Sequence, residues 1–383
     1  MRAAARIALA ALLACAGAQA ATFNAVLIQR DYDPRLERNR VERAYLGHPT
    51  GRAADGVQMA LKDGALNLDA VGARINLSVV DAASPAAAAQ AAKAAGLAAV
   101  ITDLPADWTR AVAGATQLPV LNVGSADDAL RGPACAAHLW HVLPSERMRA
   151  DALAQTLAAA RWGSVLLLTG PSADDARRAA VAQAAIRRYG LKLAGSKPFK
   201  LSADPRERDL ANLRLLTSGS YDVVWVVDSD GEFARSLPYR TVLPRPVVGD
   251  GGLAALAWHA QFERFGAPQV TRRFARNASG RAMTDGDWAG WMAGKALVAA
   301  AVAQPKGSAA AFAQALAQVE LDGSKGVAMQ FRPWDGQLRQ RLLLTDGQGV
   351  VGWAPADGVL HPRNVLDTLG ADAPEKLCKG RSP

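Results

Sequence analysis

The chain has 383 residues, half of them hydrophobic, and a formal charge of +9. Its Lys and Arg residues are scattered, with no basic run interleaved with aromatics, so the excess charge reads as a solvated surface and a nucleic-acid partner is excluded. No apolar run reaches the roughly 20 residues a spanning helix needs, and the apolar content is ample for two buried cores.

The first 20 residues, MRAAARIALAALLACAGAQA, read as an export signal. Arg2 and Arg6 form a positive n-region, Ile7 to Ala16 the apolar stretch, and Ala18, Gln19 and Ala20 an A-x-A cleavage site. The mature chain then begins at Ala21 in the periplasm, and loss of the two arginines lowers the formal +9 to +7. A competing reading is a lipoprotein signal, since LLAC at Leu12 to Cys15 resembles a lipobox, but the regions before Cys15 are short for it. Cys135 and Cys378 remain in an oxidising compartment, where a pair tends to be joined, so a disulfide is expected between them.

Strand and helix signals alternate along the first part of the mature chain. A strand at Phe23 to Gln29 is followed by a charged loop from Asp31 to Gly51, too long for an ordinary βα connection. A helix over Arg52 to Leu66, a strand at Ile75 to Val80 and a nearly all-alanine helix capped by Ser84 with Pro85 come next. LAAVIT (Leu97 to Thr102), a helix near Ala106 to Ala115 and PVLNV (Pro119 to Val123) complete the set. Such uninterrupted apolar strands suit a parallel sheet covered on both faces.

The stretch Pro119 to Ala152 reads as a crossover, because the alternation restarts after it. Ser145 caps a helix to about Arg161, Ser164 to Thr169 is a strand, and Ala173 to Tyr189 a helix ended by Gly190. A strand near Leu191 to Phe199, a helix from Asp204 and Pro205 to about Ser218, and strands at Tyr221 to Val227 and Pro246 to Asp250 follow. Met283 to Ala303 reads as a helix returning to the first lobe, followed by a helix at Ser308 to Gln318 and strands at Gly326 to Phe331 and in RQRLLLTD. The expected fold is α/β, with two doubly wound parallel-sheet lobes joined by a three-crossing hinge. The first lobe takes residues 21–124 and 257–325, the second 125–256 and 326–383.

Catalytic signatures fail on spacing. No G-x-S-x-G elbow, P-loop or H-E-x-x-H is present. GPSAD at Gly170 lacks the second glycine, and GDGG at Gly249 lacks the dinucleotide spacing. His138 and His141 have no companion ligands nearby, and the DSDG run at Asp228 has Tyr239 where a calcium loop needs Glu. The sequence therefore points to a binding protein rather than an enzyme, with no cofactor and no metal.

In open parallel sheets a ligand sits beyond the carboxyl ends of the strands, where helix N-termini offer N–H groups. The positions that qualify are Thr102, Asp103, Asn122 and Ser125 in the first lobe, and Ser172, Asp174, Asp228, Asp230 and Asp250 in the second. Both SADDA runs, at Ser125 and Ser172, also fit capping boxes, with Asp128 and Asp175 three residues on.

The lobe order together with DPRERDLANLRLLTSGSYDVVWVV, GKALVAAAVA and GVAMQFRPWDGQ resembles the type I periplasmic binding proteins of branched-chain amino acid ABC importers. DPRLERNRVERAYLGHPTGRAADGVQMALKD, LPSERMRADALAQTLAAARW, WHAQFERFGAPQ and HPRNVLDTLGADAPEKLC resemble a subgroup associated with PQQ-dependent alcohol oxidation systems. The resemblance implies a small polar or amphipathic solute held in the interlobe cleft, an inner-membrane ABC permease as partner, and a monomer. In the resembled amino-acid binders first-lobe hydroxyls hold the ligand carboxylate and a second-lobe acid pairs with the ammonium; Ser125 and Asp250 approximate those places. TDLPADW stands where a serine-rich loop is usual, GPSADD lacks the expected tyrosine, and Tyr32, Arg35, Arg38, Arg40 and Tyr45 stand in the extra loop, features that suit a different, anionic or aromatic, solute. A periplasmic ligand sensor using the same clamshell without transport is the alternative function.

Overall fold

The computed structural model describes residues 21–37, 51–358 and 360–381; the expected signal segment and Arg38, Arg40 and Tyr45 of the long loop lie outside them. The first lobe runs β1 (Ala21–Arg30), α1 (Ala54–Asp63), α2 (Ala65–Ala70), β2 (Ala73–Ala82), α3 (Pro85–Ala91), β3 (Leu97–Asp103), α4 (Ala106–Ala115), β4 (Val120–Asn122) and β5 (Leu139–His141). Its five strands are parallel in the order β2-β1-β3-β4-β5. Alternate residues feed two cores: Leu27 and Ile101 enter one cluster, Val26, Ile28 and Val100 the other. Ser84 starts α3 as expected, its hydroxyl accepting the Ala87 N–H at 3.1 Å.

The second lobe runs α5 (Glu146–Ala159), β6 (Ser164–Thr169), α6 (Ala173–Arg188), β7 (Lys192–Pro198), α7 (Leu213–Leu216), β8 (Val223–Val227), α8 (Glu232–Ser236), β9 (Val247–Gly249) and β10 (Ala254–Leu256). Here β7-β6-β8-β9 are parallel. The VVWVV run of β8 is wholly buried, with Val223, Trp225 and Val227 in one core and Val224 and Val226 in the other. The chain then adds α9 (Ala267–Asn277), α10 (Asp285–Ala303) and α11 (Ala309–Gln318) to the first lobe. The remaining strands are β11 (Leu321–Asp322), β12 (Ala328–Met329), β13 (Leu342–Thr345) and β14 (Val350–Ala354). An antiparallel β10-β13-β14 sheet contributes Ala255, Leu342, Leu344 and Ala354 to the second-lobe core.

Several local expectations change. The passage read as crossover contains β5, which pairs with β4, so the first-lobe sheet runs past the expected boundary at 124 and His141 is a fully buried strand residue. His138 contacts the Ala113 carbonyl through Nε2 at 2.9 Å. The segment after Asp204 is a 3-10 turn, Pro205–Ala211, and then the short α7, because Asn212 caps a new start. Ser125 does not form a capping box: Asp127 caps the turn Asp128–Arg131, while Asp128 Oδ2 accepts the Arg147 N–H at 3.0 Å.

The expected disulfide joins Cys135 and Cys378, with Cα atoms 5.6 Å apart. Arg147 grips Glu375 with two 2.7 Å hydrogen bonds, and Arg381 stacks over Trp140 at 4.0 Å, so several contacts dock the C-terminal segment.

Candidate functional site

The carboxyl ends of β6, β8 and β9 face the N-termini of α5 and α6, and loop 123–127 of the first lobe comes to the same place. Ser172 opens α6 with a complete capping box: its hydroxyl accepts the Asp175 N–H at 3.0 Å and Asp175 Oδ2 accepts the Ser172 N–H at 3.1 Å. The loop after β9 is tight. Gly249 has φ +109°, and a Cβ there would lie 2.2 Å from the Val226 carbonyl oxygen, so glycine is required for Asp250 to sit beside β8.

A cavity of about 290 Å³ opens between these elements. Leu153, Val181 and Trp225 give it an apolar floor, Glu146, Arg178 and Asp250 a polar edge, and Ala126 a wall from the first-lobe loop. Asp250 Oδ1 accepts from Arg178 Nη2 at 2.6 Å, and Oδ2 accepts the Asp228 N–H at 2.7 Å. Glu146 Oε2 lies 3.5 Å from Arg178 Nε. Burial opposes the Arg178 charge, but the charges of Asp250 and Glu146 outweigh it and hold the guanidinium protonated well above its ordinary value.

Charged contacts also link the two lobes beside this cavity. Arg149 of α5 donates to Asp285, the first residue of α10, at 2.5 Å. Arg177 Nη1 of α6 stands 3.8 Å from Asp127 Oδ1 of the first-lobe loop, and its Nη2 donates to Asp174 at 2.6 Å.

The expected positions divide into two groups. In the second lobe Asp250 lines the cavity, and Asp228 adjoins it through its backbone bond to Asp250. Burial raises the Asp228 carboxyl above the ordinary range; N–H groups of Ala234 and Gly231 counter this, and the Asp250 and Asp175 charges add to it. Ser172 Oγ lies 3.1 Å from Ser229 Oγ, whereas Asp230 is exposed and Asp174 is half-exposed at the rim.

In the first lobe Ser125 is buried, its hydroxyl accepting the Asp127 N–H at 3.3 Å, next to the cavity-lining Ala126. Thr102 and Asn122 are fully buried; Asn122 holds the loop by accepting the Gly124 and Ser125 N–H groups and donating to the Ser125 carbonyl. Asp103 forms a separate cluster, accepting from Arg35 Nη2 at 2.7 Å and from the Ala53 N–H at 3.2 Å. Within that cluster burial pushes the Asp33 carboxyl up, but Arg35's hydrogen bonds and charge outweigh it and hold it below the ordinary range.

Arg178, Glu146, Arg149, Asp285 and Trp225 were not singled out by the strand-end rule. Glu146 follows the Ser145 cap directly and Arg178 lies in the helix after Ser172, so the caps locate both helices, but which face meets a cavity depends on tertiary packing. Among the described residues no group of three or more His, Cys, Asp or Glu is arranged to hold a metal ion, and no helix is long and apolar enough to cross a membrane.

No protein-family model and no curated protein matches the sequence. Solved structures do. An ABC transporter substrate-binding protein from Sphaerobacter thermophilus superposes with a TM-score of 0.68 at 16% identity, covering 87% of this chain and 98% of its own. The leucine-, isoleucine-, valine-, threonine- and alanine-binding protein from Brucella ovis, in a closed conformation, gives 0.64 at 14% identity, covering 85% and 90%. A Rhodopseudomonas palustris solute-binding protein of an ABC transporter, in complex with benzoate, gives 0.63 at 14% identity, covering 87% and 96%. These proteins bind solutes as different as amino acids and benzoate on one architecture, so the likeness speaks to fold and leaves the ligand to the cavity. The chain has the two-lobed α/β fold of the type I periplasmic binding proteins.

Proposed function

We propose that the protein is the periplasmic solute-binding subunit of an ABC transporter: it holds a small polar or amphipathic molecule between its lobes, closes on it and delivers it to an inner-membrane permease without chemical change. The observation that carries this reading is the cavity of about 290 Å³, of a size for a small molecule, which combines an apolar floor with the Glu146, Arg178 and Asp250 edge and a first-lobe wall at Ala126. A ligand touching both lobes stabilises the closed arrangement by its differential affinity for it. On this reading Asp250 lines the ligand site, and Ser125, Ser172 and Asp228 shape the loops around it. The subgroup resemblance adds a role beside PQQ-dependent alcohol oxidation, and export through cleavage after Ala20 supplies the compartment.

Mass spectrometry of protein purified natively from its own periplasm tests the reading. A stoichiometric small molecule released on denaturation is expected. Its absence in protein taken from cells grown across carbon sources, together with no binding by any member of a broad solute panel, would overturn it.

A further inference from the structure

The cavity edge carries an imbalance that bears on the class of solute. Arg178 is shared by two carboxylates, yet it satisfies only one of them. Its Nη2 donates to Asp250, while its Nε is buried without a hydrogen-bond partner although Glu146 Oε2 lies 3.5 Å away. Asp250 is the better satisfied carboxylate, one oxygen accepting from Arg178 and the other from the Asp228 N–H. That Nε is closed off from the cavity, but Nη1 of the same cavity-lining guanidinium makes no hydrogen bond among the described residues, so the edge offers an unused donor on Arg178 beside an underused acceptor on Glu146, within a trio whose formal charge is −1.

Resting on the reading of the cleft as a solute site, we infer that it selects an uncharged solute carrying a hydroxyl on an apolar body. A hydroxyl oxygen accepts from Arg178 while its hydrogen is donated to Glu146, so both groups are satisfied at once. A carboxylate accepts from Arg178 but faces Glu146 at close range, with a repulsion that the half-buried site screens poorly. An ammonium suits Glu146 but leaves the Arg178 donor unpaired and sets a second cation beside it. A free amino acid brings both charges, and the acid at the end of β9 that would take its ammonium is already occupied by Arg178. Leu153, Val181 and Trp225 supply the apolar surface for the body of the solute.

Calorimetry with two matched series tests this: benzyl alcohol, benzylamine, benzoate and L-phenylalanine, and 3-methylbutanol, 3-methylbutylamine, 3-methylbutanoate and L-leucine. The alcohol is expected to bind at least about tenfold more tightly than its charged counterparts in at least one series. In Glu146→Gln the amide still bonds a hydroxyl but no longer repels an anion, so the preference for alcohol over carboxylate should fall about tenfold. A charged member as the tightest ligand of the wild-type protein, an unchanged ratio in the variant, or no measurable binding of all eight solutes overturns the inference. The wild-type ranking stands whether or not the variant folds. Each of these failures is distinct from failure of the broader reading, which rests on a natively retained solute.

Discussion

Arg178 and Asp250 form a 2.6 Å ion pair that ties α6 to the loop after β9, at the edge of the interlobe cavity. The carboxylate fixes the guanidinium, which lines the cavity. On the proposed reading, Asp250 contributes to the site by placing Arg178.

Asp250→Asn should therefore weaken binding of the natively released solute by about 1 to 3 kcal/mol, the usual worth of a charge-assisted hydrogen bond. Both side chains are roughly one-fifth exposed, so the cost to the empty protein is smaller, about 1 kcal/mol. Calorimetry and urea melting of wild type and variant separate the two effects, and an unchanged affinity would contradict the positioning role.

Two helices approach with no room for side chains. A Cβ on Gly290 of α10 would sit 2.2 Å from the Ala53 carbonyl oxygen, and one on Gly56 of α1 would sit 2.0 Å from that of Asp287. Both obstacles are backbone, so Gly290→Ala should force the helices apart and cost about 2 kcal/mol or more in urea unfolding, against the small gain alanine brings in an unconstrained helix. A stabilised variant would show that the helices can part at no cost.

The disulfide closes a very long loop, with 243 residues of separation between Cys135 and Cys378. The chain-entropy model assigns such a bridge roughly 5 to 6 kcal/mol. The double variant Cys135→Ser, Cys378→Ser should lose stability in that range or somewhat less, because Arg147–Glu375 and Arg381 over Trp140 still dock the segment. Two free thiols in denatured, unreduced protein from the periplasm would contradict the bridge.

His141 gives stability a pH dependence. It is fully buried; its Nδ1 accepts from Asn122 Nδ2 at 3.0 Å and its Nε2 donates to the Leu130 carbonyl at 3.1 Å, which fixes the neutral form. Burial, and then the Arg131, Arg381 and Arg332 charges, hold its pKa well below 6.5. A depressed folded pKa means that the unfolded chain takes the proton first, so this contribution is present above about pH 6.5 and is lost at up to about 1.4 kcal/mol per unit as pH falls. Asp151 acts with the opposite sign: burial raises it to about 6 despite Arg188, the Gly370 N–H and Arg147, so its contribution falls as pH rises between about 4 and 6. Urea melts of His141→Gln should lose the decline on acidification, and those of Asp151→Asn should steepen it; identical pH profiles in all three proteins would contradict both assignments.

Local signals in the sequence carry the two-lobed plan well. The apolar runs at Leu97, Ser164 and Tyr221 are strands because nothing but burial on both sheet faces suits them, and Ser84, Ser145 and Ser172 are helix caps because their hydroxyls meet N–H groups three residues on. β5 is not legible in the sequence because three residues, LWH, carry no periodicity, and its pairing comes from β4 and from a distant bridge between His141 and Gln337. The cavity edge is harder still. Asp250 is legible as a strand-end carboxylate, but Arg178 and Glu146 sit on helices whose facing is decided by how α5 and α6 pack against the sheet. Asn122 and Thr102 show the converse: a strand-end position can be spent on the loop or the core.

The central claim is that a solute held between the lobes draws them together. Small-angle X-ray scattering of the solute-free protein and of the same protein saturated with its natively released solute tests this most directly. A smaller radius of gyration is expected on saturation, reversed when the solute is removed; an unchanged radius at full occupancy would rule closure out.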